Sequence, residues 1–189
     1  MIFAKMRELH TARLVLRMFR AEDAPLYFQN VTSRPEVTRY MLWDTHRQLS
    51  DTESVIQTVL NRYASGSSYR WCIAMAETDC PIGAIELLRF DEEAESCSFA
   101  YMIGSGFWGR GYATEALEAA LRFAFKEMEL QTVTADHMAE NRASGKVMQK
   151  AGMRYQKTIP GKYEKNGKSM DALEYCITRE DWQKLLSKD

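Results

Sequence analysis

The 189-residue chain has no long hydrophobic run: none approaches the roughly 18 apolar residues of a membrane-spanning helix. Its first residues, Met1-Ile2-Phe3-Ala4-Lys5-Met6-Arg7-Glu8, carry no signal-peptide core. No membrane association is expected, and a cytoplasmic location is. An excess of one charge is also missing. The 25 Lys and Arg nearly balance the 26 Asp and Glu, and a formal charge of -1 gives no electrostatic reason for a nucleic-acid partner. Cysteine is sparse. Cys72, Cys80, Cys97 and Cys176 form no CxxC pair and have no His at metal-ligand spacing, so neither a disulfide framework nor a metal is expected. No Gly-Lys-Ser/Thr follows the glycines, which excludes a P-loop. There is no repeat, low-complexity tract or linker, so residues 1–189 read as one domain of ordinary soluble composition.

Taken in order, Arg13 to Met18 alternate apolar and charged positions and predict a half-buried strand. A short helix is expected over Glu22 to Asn30, with Asp23 near its start and Pro25 in its first turn. Val31 to Leu49 reads as a loop or broken helix. Ser50-Asp51-Thr52-Glu53 matches a capping box, and Val55, Ile56, Val59, Leu60 and Tyr63 share the helical face that follows, ended by Gly66-Ser67-Ser68. Trp71 to Met75, Ile82 to Phe90 and the run ending at Ile103 read as an antiparallel meander, and Gln131 to His137 as a further strand. Asn141 is a good N-cap for a helix whose apolar face is Ala143, Val147, Met148 and Ala151, stopped by Gly152. Two strands near 153–159 and 169–177 flank a turn from Gly161 to Gly167. Thr178 caps a last helix in which Trp182, Leu185 and Leu186 dock.

The richest stretch runs from Tyr101 to Ala120, where Gly104, Gly106, Gly109 and Gly111 separate a strand end from an amphipathic helix. Glycines let backbone approach a ligand, and a helix N-terminus offers unpaired N–H groups to phosphate. One frame, Gly104 to Gly109, matches the dinucleotide G-x-G-x-x-G. However, it follows a meander rather than opening a parallel unit, it holds bulky Phe107 and Trp108, and it lacks a well-placed acidic residue, Asp136 lying too far along. The other reading of these glycines is a tight turn alone.

A second frame, Trp108-Gly109-Arg110-Gly111-Tyr112-Ala113 followed by Thr114-Glu115-Ala116, resembles the acyl-coenzyme A pyrophosphate loop of the GNAT acetyltransferase superfamily. Arg13-Leu14-Val15-Leu16-Arg17, and Asn141-x-x-Ser144 with Lys150-Ala151-Gly152-Met153, are similar to its RimJ/RimL-like branch, whose relatives acetylate ribosomal-protein N-termini. The likeness spans about 11–182. It implies a three-layer α+β fold, a mixed, mostly antiparallel sheet of six to seven strands with helices on both faces, splayed between the strand ending near Ile103 and that starting near Gln131.

The resemblance further implies acetyl-CoA as cosubstrate, held by Gly109, Arg110, Gly111, Tyr112, Ala113 and Thr114, by the strand edge at Met102 and Ile103, and by Asn141. Trp108 departs from the superfamily's Gln or Arg. The family's usual Tyr acid position is Met148 here, which cannot donate, and Ser144 takes that role in the RimL-like manner. For the base, Glu86 is named first, then Glu174 and His137, since Ser98 stands where many relatives have Glu. Tyr40 and Trp43 are expected to wall the acceptor pocket. The reaction expected is direct attack of a primary amine, of a small molecule or a peptide N-terminus, on acetyl-CoA. The alternative is a non-catalytic acyl-CoA sensor, and the assembly is a monomer or homodimer.

Overall fold

A computed structural model describes residues 4–66 and 68–187. Ser67, expected at a helix end, and Met1 to Phe3 lie outside the described residues. Eight strands form one sheet: β1 (Leu9–His10), β2 (Leu14–Arg17), β3 (Tyr69–Met75), β4 (Pro81–Asp91), β5 (Ser96–Ile103), β6 (Thr132–Met138), β7 (Arg154–Lys165) and β8 (Lys168–Thr178). Their order is β1-β2-β3-β4-β5-β6-β8-β7. Neighbours run antiparallel except β5 and β6, which are parallel. The count exceeds six to seven because β1 is a two-residue strand opposite Val15 and Leu16, too short to show a period of two in sequence.

Helices cover both faces. On one, α4 (Tyr112–Lys126), with α5 (Arg142–Lys150) and α6 (Arg179–Leu186) beside it, packs Leu117, Leu121 and Phe123 against Trp71, Ile85 and Phe99. On the other, α1 (Ala24–Tyr27), α2 (Pro35–Thr38) and α3 (Leu49–Ala64) bring Tyr27, Val37, Ile56 and Val59 over Cys72, Ala74 and Ala84. This is the mixed, open-sheet fold with two covered faces that the sequence predicts.

Several local expectations are corrected. Arg17 is not on a solvent face: it is only 2% exposed, and its guanidinium forks onto Asp23 at 2.8 Å while Nε donates to Asp79 at 2.6 Å. The helix expected over 22–30 is broken into a 3₁₀ turn, the four residues of α1 and a π-turn over Phe28–Thr32. The capping box of α3 lies two residues early, with Gln48 as N-cap and Asp51 as its partner. The turn expected over 161–167 is narrower. β7 runs on through Gly161, whose φ of +61° marks a bulge, and the chain reverses at Asn166-Gly167, both with positive φ.

Candidate active site

The site begins where two strands part. β5 and β6 pair from Ser96 with Thr132 up to Phe99 with Ala135, after which β5 continues to Ile103 without β6. On its other side β5 stays paired with β4, Ile103 opposite Gly83, and the Gly104 N–H donates to the Ile82 carbonyl at 2.8 Å. The alternation of an antiparallel ladder therefore turns the main-chain groups of Tyr101 and Ile103 away from β4 and into the gap. Trp108, 52% exposed, donates its indole N–H to the Ile103 carbonyl at 2.7 Å, and the Ile103 N–H faces the opening.

The glycine loop closes one end of the gap. Gly109 and Gly111 have φ of +75° and +83°, and Gly111 is the N-cap of α4 with no side chain capping the helix. The N–H groups of the first turn, Tyr112 to Thr114, are those that a helix leaves without internal acceptors. Gly104 is needed for another reason: a Cβ there would lie 2.3 Å from the Asn30 carbonyl oxygen. Gly106 meets neither condition, with nothing within 4 Å of a Cβ.

Across the gap stands α5. Asn141 caps it, accepting from the Ser144 N–H at 3.4 Å. The Ser144 hydroxyl lies 2.9 Å from the Tyr101 hydroxyl, which is also 2.9 Å from the Ser144 carbonyl. Burial raises the Tyr101 phenol above its ordinary value, against the Ser144 hydrogen bond, so it stays protonated. Met148 is buried in the core, 1% exposed.

These elements enclose a cleft of about 400 Å³. Tyr101, Met102, Ile103, Gly109, Gly111, Tyr112, Ala113, Thr114, Asn141 and Ser144 all line it, as do Tyr40 and Met41. Arg110 does not, its carbonyl accepting from Arg13 Nη1 at 2.9 Å. Trp43 does not line the cleft either. Its ring packs on His46 at 5.2 Å, and its carbonyl is 3.4 Å from Lys165 Nζ.

None of the three candidate bases lines the cleft. Glu86 lies 3.4 Å from Arg70 Nη1, and Glu174 lies 3.4 Å from Lys157 Nζ. His137 is buried, with Nδ1 2.8 Å from the Met138 carbonyl and its ring stacked on Tyr175. The carboxylate that does reach the cleft is Glu36, which accepts from the Ser105 hydroxyl at 2.6 Å and is held below the usual carboxylate range by it.

Sequence reasoning also missed a stripe on α5. Ala143 and Val147, assigned to the core, line the cleft together with Lys146 and Lys150. The signal was present: these four recur at i, i+3, i+4 and i+7. No cysteine lines the cleft, and burial pushes the Cys97 thiol up to about 12. Among the described residues no cluster of three or more His, Cys, Asp or Glu is placed to hold a metal ion, and no helix is long and apolar enough to cross a membrane.

A family model described as an acetyltransferase (GNAT) domain matches residues 13–154. The N-acetyltransferase p20 of Bacillus licheniformis, itself uncharacterised, is 27% identical over 177 residues, 94% of this chain and 99% of its own length. An FsC-acetyl coenzyme A-N(2)-transacetylase of Aspergillus fumigatus is 26% identical over 186 residues, 94% of this chain and 78% of its own. Among solved structures, a GNAT-family acetyltransferase from Bacillus anthracis superposes with a TM-score of 0.81 at 23% identity, covering 92% of this chain and 99% of that one.

Proposed function

Because the chain belongs to the GNAT acetyltransferase family and is thus an acetyl-CoA-dependent N-acetyltransferase, we propose that a primary amine attacks acetyl-CoA directly in the cleft between β5 and α5. Residues 1–189 act in this reading as one acetyltransferase domain. The observation that carries it is the parting of β5 from β6 after Phe99, between the Gly109–Gly111 loop and Ser144.

The loop N–H groups at Gly109 to Thr114 hold the pyrophosphate, where a helix terminus favours an anion by roughly 0.3–1 kcal/mol, up to about 2 when partly buried. The β5 edge pairs with the pantetheine arm as an added strand through the Tyr101 main-chain groups that face the gap, with Met102 and Ile103 lining the cleft beside it and Asn141 reaching the arm from the other side. Lys146 and Lys150 add positive charge along the same wall.

In the reaction a C–N bond forms as the C–S bond breaks. The Ile103 N–H stabilises the oxyanion on the carbonyl oxygen, a contribution of order 10²–10³ where single donors are removed. The Ser144 hydroxyl gives its proton to the departing thiolate and regains one from solvent, which receives the amine's proton in turn. The amine's proton leaves through water, with Glu86 the carboxylate that takes it, because Glu36, which lines the cleft, is committed to the Ser105 hydroxyl and held below the usual carboxylate range.

Tyr40 and Met41 wall the acceptor's approach, and the acceptor class we favour is a peptide N-terminal amine. It is supported by the likeness of 13–17 and of Asn141-x-x-Ser144 to the RimJ/RimL-like branch. Initial rates with short peptides bearing free or blocked N-termini, against polyamines and aminoglycosides, test it. A preference for free-N-terminus peptides is expected, and faster turnover of a small amine would replace that class.

A further inference from the structure

Glu115 occupies the first turn of α4, the helix terminus read above as the pyrophosphate site. A bare carboxylate there would compete with a bound anion for the same N–H groups and the same positive end of the helix. It is not bare. Glu115 Oε2 is 2.6 Å from Arg13 Nη2 and accepts from Arg13 Nε at 2.7 Å. Its Oε1 accepts from the Thr11 hydroxyl at 2.7 Å and from the Arg13 main-chain N–H at 3.0 Å. Burial alone would raise this carboxyl, but the Thr11 and Arg13 hydrogen bonds hold it below the usual range, so it stays ionised and paired.

The same guanidinium also faces the loop. Arg13 Nη1 donates to the Arg110 carbonyl at 2.9 Å, its charge lies 4.6 Å over the Tyr112 ring, and Nη2 is 3.4 Å from where a Gly111 Cβ would stand. In a trans peptide the carbonyl and the next N–H point in opposite directions. Holding the Arg110 carbonyl on Arg13 therefore turns the Gly111 N–H the other way.

We propose that Arg13 is a positioning residue for the coenzyme A pyrophosphate: it neutralises Glu115 and orients the Arg110–Gly111 peptide so that the loop presents N–H groups to the anion. The proposal rests on the glycine loop being the pyrophosphate site. Arg13 lies nearly a hundred residues before that loop, just ahead of β2, and acts on the cofactor through Glu115 and Arg110 rather than by touching the reacting atoms.

The test is calorimetric binding of coenzyme A and of acetyl-pantetheine, which lacks the pyrophosphate, to four proteins. Wild type binds coenzyme A more tightly than acetyl-pantetheine. Arg13→Gln weakens coenzyme A about tenfold and leaves acetyl-pantetheine unchanged. Adding Glu115→Gln to Arg13→Gln recovers most of that loss, because the carboxylate exposed by the first change is gone. Arg13→Lys, which keeps the charge and is expected to fold, retains most of the affinity. A double variant no better than Arg13→Gln, or an Arg13→Lys as weak as Arg13→Gln, overturns the role of Arg13. Equal wild-type affinity for the two ligands overturns the pyrophosphate reading beneath it.

Discussion

The Tyr101 hydroxyl sits 2.9 Å from the Ser144 hydroxyl and 2.9 Å from the Ser144 carbonyl, tying the free end of β5 to the first turn of α5. The carbonyl can only accept, so it takes the phenol proton, and the Ser144 hydroxyl donates to the phenol oxygen until it turns to a thiolate in the cleft.

Ser144→Ala is expected to lower kcat about a hundredfold with little change in acetyl-CoA affinity, since it removes a proton donor and not a binding group. Tyr101→Phe leaves the serine hydroxyl in place but unoriented, and should cost about tenfold in kcat. Steady-state kinetics with one amine acceptor separates the two, and an unchanged kcat in Ser144→Ala removes it from the chemistry.

The four glycines of the loop should fall into three classes. Gly104→Ala drives a Cβ to 2.3 Å from the Asn30 carbonyl and should destabilise by about 1–3 kcal/mol. Gly111→Ala, at φ of +83°, should cost about 1–2 kcal/mol of backbone strain and weaken coenzyme A binding, and Gly109→Ala should behave alike. Gly106→Ala should change stability by no more than about 0.5 kcal/mol. Urea unfolding of each variant, followed by coenzyme A titration, checks the order.

Much of this was visible in the sequence because it is local. The glycine loop, the N-cap Asn141 and Ser144 three residues on are short patterns whose chemistry needs no distant partner. Arg17 illustrates the converse. Alternation put it on a solvent face, but its partners Asp23 and Asp79 come from two other segments, and only the fold brings them to it. The α3 start failed differently, since Gln48 with Asp51 and Ser50 with Glu53 both fit a cap. The base is the least local feature of all, for Glu86, Glu174 and His137 differ only in what neighbouring strands set beside them.

The buried Arg17–Asp23 pair should be costly to break. Asp23→Ala leaves a guanidinium that is 2% exposed with Asp79 as its remaining acid, and about 3 kcal/mol is expected, the low end for a severed buried pair. Chemical denaturation measures it.

His46 gives stability a pH dependence. Burial lowers its pKa, with Asp51 opposing, and Nδ1 lies 2.7 Å from the Thr52 hydroxyl. The native state thus binds a proton less readily than the unfolded chain. Its contribution is full above the ordinary value of 6.5 and is lost as pH falls from there through the lowered native value. His46→Gln should flatten the fall in Tm between about pH 7 and about pH 5, the range in which His changes charge.

The most direct measurement is release of free coenzyme A thiol from acetyl-CoA across a panel of peptides with free N-termini, polyamines and aminoglycosides. The account predicts thiol release that depends on the amine and is largely lost in Ser144→Ala. Acetyl-CoA that raises Tm yet yields no thiol with any amine in the panel would contradict it.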